Sequence, residues 1–102
     1  MNLRSNNIVI RKARKSDSKS IIGLISELAE FEKLSPPNRY AQKRLISDAF
    51  KTKPIFNILV AENEGKITAY AFYFFTYSTF LAKPTLYLED IFVSVKHRYE
   101  GI

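Results

Sequence analysis

The 102-residue chain is long enough for one domain at most, and its 46% hydrophobic and 25% charged residues allow a packed core rather than disorder. Sixteen Lys and Arg against ten Asp and Glu leave a formal charge of +6, which either serves solubility alone or favours an anionic partner such as a polyphosphate cofactor, nucleic acid or an acidic surface. The lack of cysteine excludes disulfides, thiolate catalysis and Cys-based metal sites; the single histidine, His97, argues against a His-based metal site; and no apolar run reaches the roughly 18 residues of a membrane span.

Ile8, Val9 and Ile10 start a short strand, with Arg11 to Arg14 expected to carry the chain out to solvent. Ser16, Asp17 and Ser18 offer oxygens for a helix N-cap. From Ser18 to about Lys33 the apolar residues Ile21, Ile22, Leu24, Ile25, Leu28, Ala29 and Phe31 recur at helical spacing. Leu34-Ser35-Pro36-Pro37-Asn38 breaks that helix, since proline suits no helix interior. A second helix is expected from about Ala41 to Phe50, and a strand from Phe56 to Glu62. Asn63-Glu64-Gly65-Lys66 reads as a hairpin turn in which Gly65 takes a positive φ. Ile67 to about Tyr77 is a long strand apolar on both faces, which predicts a central strand covered on both sides. After a connection over Ser78 to Pro84, Thr85 to Val93 forms the last strand.

That last strand carries the first sign of chemistry. Glu89 and Asp90 interrupt the apolar run Leu86 to Val93, and buried carboxylates are rare unless paired or functional. Arg98-Tyr99-Glu100-Gly101 follows, the order of a strand that leads into an anion-binding loop. On the residues alone, the plainer reading of Glu89 is a strand-end acid paired with a Lys or Arg. Glu27, Glu30 and Glu32 likewise read as a solvated helix face.

Leu86 to Val93 followed by Arg98-Tyr99-Glu100-Gly101-Ile102 resembles the acetyl-CoA-binding core of the GNAT N-acetyltransferase superfamily, Arg/Gln-x-x-Gly-x-Gly/Ala. Arg98, Gly101 and Ile102 match that core. The run Tyr73-Phe74-Phe75-Thr76-Tyr77, a spacer, then Leu86-Tyr87-Leu88-Glu89-Asp90-Ile91-Phe92-Val93 is similar to the diamine (spermidine/spermine) and thialysine acetyltransferase branch. The resemblance runs from about Val9 to Ile102. It implies an α+β (α/β) fold in the order β-α-α-β-β-β with a mainly antiparallel sheet. It also implies that residues 1–102 are a single partial domain, the N-terminal half, ending inside the acetyl-CoA motif.

The resemblance further implies transfer of acetyl from acetyl-CoA to a primary amine of a small substrate, with no metal. An alkylamine near pKa ~10 is protonated at neutral pH and must lose a proton before it attacks. Glu89 occupies the position of the base, and desolvation by Leu88 and Ile91 is expected to raise its pKa. Asp90, on the other face of the strand, is expected to orient neighbours or pair with a basic group. Ile91, Phe92 and Val93 would pair with the pantetheine arm through their backbone. Arg98, Tyr99, Glu100, Gly101 and Ile102 would cradle the pyrophosphate. Phe31 and Glu32, with Glu89, would face the amine. Ser78 and Phe80 stand where the branch carries an acid and a Trp, which weakens the case for a long polyamine and suits a lysine-like amine about equally well.

An apolar last strand left at an edge invites association, so a dimer, possibly element-swapped, is expected in the cytoplasm. A second reading is a non-catalytic remnant or interaction module that binds an acidic partner through its basic surface or strand edge. Nucleic acid is disfavoured, because the Lys and Arg residues form no aromatic-interleaved stripe.

Overall fold

A computed structural model describes residues 8–98. Strands β1 (Ile8–Lys12), β2 (Asn57–Asn63), β3 (Lys66–Ser78) and β4 (Lys83–Val93) form one antiparallel sheet in that order. Helices α1 (Ser18–Phe31) and α2 (Arg39–Phe50) connect β1 to β2. The strand, helix, helix, three-strand order is the one expected from sequence.

The core lies between the helices and one face of the sheet. Ile21 and Leu24 of α1 and Ala49 of α2 meet Ile58, Val60, Tyr70, Phe72 and Phe92 of the strands. The ladder pairs Ile58 with Phe72, Val60 with Tyr70 and Tyr70 with Phe92, so these side chains share one face. The expectation that β3 is covered on both sides is not met among the described residues. On the other face Ile91, paired with Ala71, is 67% exposed, and beyond the core Phe75 and Tyr77 are exposed too. β3 and β4 run further into their connection than expected, and Phe80 sits at the hairpin tip fully in solvent.

Local chemistry sets the boundaries. Helix α1 ends before Lys33, not at it, in a Schellman turn. The Lys33 and Leu34 amides donate to the carbonyls of Glu30 and Ala29 at 3.1 and 2.7 Å, and Lys33 takes φ 58°. Helix α2 starts at Arg39, two residues earlier than expected, because the Asn38 side chain caps it by accepting from the Ala41 amide at 2.9 Å. Glu64 and Gly65 both take positive φ, as a type I′ hairpin requires.

Arg11 does not lead out to solvent. Its guanidinium donates to Asp17 at 2.8 and 3.0 Å and to Glu62 at 2.8 and 3.0 Å, tying β1 to the start of α1 and to β2. Asp17 also accepts from the Arg14 amide at 2.7 Å. The Arg11 hydrogen bonds hold the Asp17 carboxyl below its ordinary range against the opposing effect of burial.

Candidate active site

The site forms where β4 meets the C-terminal end of α1. Phe72 pairs with Asp90 and Tyr73 with Leu88, so Glu89 is the extra residue of a β-bulge. The bulge changes what the two acids do. Asp90, opposite Phe72, lies half-buried on the helix side of the sheet, while Glu89 is exposed.

The desolvation expected for Glu89 falls on Asp90. Leu88 and Ile91 are 50% and 67% exposed and shield nothing. Burial pushes the Asp90 carboxyl up first, and the charges of Glu89 and Glu32 push it further. Asp90 has no ion-pair partner among the described residues, so of the two roles expected for it, orienting neighbours or pairing with a basic group, the second is not seen. Tyr70 lies beneath. Burial raises its phenol strongly, and the charges of Asp90 and Glu32 add to the shift. The Tyr70 hydroxyl is buried with no hydrogen-bond partner among the described residues. The half-buried Asp90 thus feels the charges of both Glu32 and Glu89 above a neutral buried phenol. Such a field attracts an ammonium group. Among the described residues no cluster of His, Cys, Asp and Glu could hold a metal ion.

Phe31, the last residue of α1, is 61% exposed. The Arg98 guanidinium lies 5.1 Å from its ring centroid and 5.5 Å from that of Phe92, and Arg98 Nε donates to the Val93 carbonyl at 3.2 Å. Ile91, Phe92 and Val93 pair with Ala71, Tyr70 and Ala69 on one side only, so β4 is an edge of the described sheet. Phe92 is a core side chain. Tyr99, Glu100, Gly101 and Ile102 lie outside the described residues. The free edge offers unpaired backbone groups to an extended ligand, and Arg98 offers a cation to an anionic one.

One contributor escaped the sequence reading. Glu27 is not a merely solvated helix residue. Its Oε1 accepts from the Ser94 hydroxyl at 3.2 Å and from the Val95 amide at 3.0 Å, fixing the turn that follows β4. No local signal joins residues so far apart in the chain.

No protein-family model matches the chain. It is 42% identical over 101 residues to the thialysine N-epsilon-acetyltransferase of Mus musculus, covering 91% of this chain and 59% of that protein. It is 36% identical over 100 residues to the human spermidine/spermine N(1)-acetyltransferase-like protein 1, covering 91% of this chain and 14% of that one. Its fold is similar to that of a solved possible acetyltransferase from Clostridium difficile 630, with TM-score 0.79 at 19% identity over 92% of this chain and 62% of the other. The chain thus spans about three-fifths of the mouse relative, 59% of its length.

Proposed function

We propose that the chain is part of a GNAT acetyltransferase and acts in acetyl transfer from acetyl-CoA to a primary amine of a small diamine, polyamine or lysine-like substrate, a reading supported by its similarity to the thialysine and spermidine/spermine acetyltransferases. The observation that carries this reading is the bulge on the edge strand β4, which sets Glu89 outward beside a half-buried Asp90 that also feels Glu32.

Acetyl-CoA, when bound, supplies an acetyl group activated as a thioester. The backbone of Ile91 to Val93 is suited to hold its arm and Arg98 to meet its phosphates. The amine enters as an ammonium ion. Glu32 and Asp90 offset its charge, and Phe31 packs against its alkyl stem. Glu89, exposed at the bulge, takes the proton directly or through a water, leaving a neutral nucleophile. The Tyr70 hydroxyl, buried beneath, stays protonated. The remaining pyrophosphate contacts are assigned to Tyr99, Glu100, Gly101 and Ile102. We also propose a cytoplasmic dimer built on the exposed β3–β4 hairpin. Among the described residues no helix is long and apolar enough to cross a membrane.

The test is release of free CoA thiol on incubating the chain with acetyl-CoA and a panel of thialysine, lysine, putrescine and spermidine. Amine-dependent release that falls at least tenfold in Glu89→Gln is the expected result. No release with any amine, together with no acetyl-CoA binding by calorimetry, overturns the proposal.

A further inference from the structure

We propose that the groove between α1 and α2 is a docking site for an acidic amphipathic helix of a partner protein. The groove encloses about 610 Å³ and belongs to the N-terminal half of α1, at the other end of that helix from Phe31 and Glu32. It is therefore a separate surface from the acetyl-transfer site and does not depend on that assignment.

Its chemistry is one-sided. Lys15 and Lys19 line one wall, and Arg39, Lys43 and Lys51 line the other. No Asp or Glu lines it. Lys51 is shared with Asp48, whose Oδ1 lies 3.5 Å from its Nζ. Lys15, Lys19, Arg39 and Lys43 have no carboxylate partner among the described residues. Ile22 of α1 and Ile46 and Phe50 of α2 add half-buried apolar surface among these exposed cations.

Complementarity selects the occupant. Like charges gathered without internal partners favour an anion. The cations from Arg39 to Lys51 extend along α2 over roughly 18 Å at 1.5 Å per residue, too far for one phosphate or carboxylate to answer. Nucleic acid would supply the charge, but single strands are held by stacking on several aromatic rings, and this groove offers Phe50 alone. Half-buried apolar surface set among exposed cations on both helices is the counterpart of a helix whose apolar stripe is bordered by Glu or Asp.

Fluorescence anisotropy with the full chain tests this. The probe is a labelled synthetic helix carrying Leu at i, i+4 and i+7 with flanking Glu. Its comparators are the scrambled peptide of the same composition and a single-stranded oligonucleotide. Two variants make the same charge change on α2. Lys43→Glu alters a groove residue, while Arg44→Glu alters an exposed residue outside the groove. Circular dichroism of both variants reports their fold. Saturable binding of the amphipathic peptide, weakened about tenfold by Lys43→Glu and less than about threefold by Arg44→Glu, is the expected result. Absence of peptide binding, equal binding of the scrambled peptide, tighter binding of the oligonucleotide, or equal losses in the two variants would each overturn the assignment.

Discussion

The guanidinium of Arg98 rests 5.1 Å from the ring centroid of Phe31. One of these residues is assigned to the phosphates of the cofactor and the other to the amine, so the two halves of the site touch in the absence of either ligand. Arg98→Ala is expected to weaken acetyl-CoA binding at least tenfold by calorimetry, because a charge-assisted phosphate contact is lost. Phe31→Ala is expected to leave acetyl-CoA affinity unchanged or slightly tighter, since the cation–π contact of about 0.5–1 kcal/mol no longer competes for Arg98. A large loss of acetyl-CoA affinity in Phe31→Ala would count against this division of roles.

Asp90 sets stability against function. Its carboxyl is held above the ordinary value of 3.8, so the folded protein binds that proton more tightly than the unfolded chain does. Stability is therefore lost as pH rises from the ordinary value through the raised one, and at neutral pH the charged Asp90 is a burden. Asp90→Asn is expected to raise the melting temperature at pH 7, with the gain fading below about pH 4. The same change is expected to raise KM for the amine, since one of three carboxylates is gone. A melting temperature unchanged at pH 7 would show that Asp90 carries no such cost.

The elements were legible because their signals are periodic and local. The stripe from Ile21 to Leu28 marks α1, the proline pair marks its break, and Gly65 marks the hairpin. The candidate site was legible only through the resemblance carried by Leu86 to Val93 and Arg98 to Ile102, since on the residues alone Glu89 reads as a paired strand-end acid. The division of labour between Glu89 and Asp90 was not legible, because alternation along an ideal strand places them on opposite faces and says nothing of a bulge. The bulge fixes which acid is shielded, and it appears only in the pairing of β4 with β3. Arg11 and Glu27 were misread for a related reason. Each is a charged residue with a partner tens of positions away: Glu62 for Arg11, besides the nearer Asp17, and Ser94 and Val95 for Glu27.

The Arg11–Asp17–Glu62 network predicts an acid limit to stability. Asp17 is held below its ordinary value of 3.8, so its contribution is complete above that value and is lost as pH falls through the depressed one. Asp17→Asn leaves the half-buried Arg11 with Glu62 as its one remaining ion-pair partner among the described residues and removes the charged contacts at the β1–α1 junction. A loss of about 3 kcal/mol is expected in urea unfolding at pH 7, and a smaller loss at pH 2. An equal loss at both pH values would assign the effect to packing rather than charge.

The β3–β4 hairpin predicts association. Phe75, Tyr77, Leu81 and Leu86 are more than half exposed around the fully exposed Phe80. A run of apolar side chains on an edge hairpin is a ready partner for its own copy. Light scattering is expected to show a dimer, and Phe80→Lys with Leu86→Lys to shift it toward monomer. A monomer in the unmodified chain would remove the hairpin as an interface between copies.

Lys33 predicts a stabilising substitution beside the amine site. A side chain in the left-handed region costs about 1–2 kcal/mol relative to glycine, and Lys33 occupies that region at φ 58° to close α1. Lys33→Gly removes the cost but gives the unfolded chain extra freedom worth about 0.4–1 kcal/mol. The net gain expected in chemical denaturation is therefore about 0.5 kcal/mol. The two Schellman hydrogen bonds that place Glu32 are backbone bonds and survive the change. Amine KM is accordingly expected to hold within about twofold, whereas Lys33→Val, β-branched and unsuited to positive φ, is expected to lower stability and disturb the placement of Glu32. A Gly variant less stable than the parent would mean that the Lys33 side chain makes a contribution larger than its backbone strain.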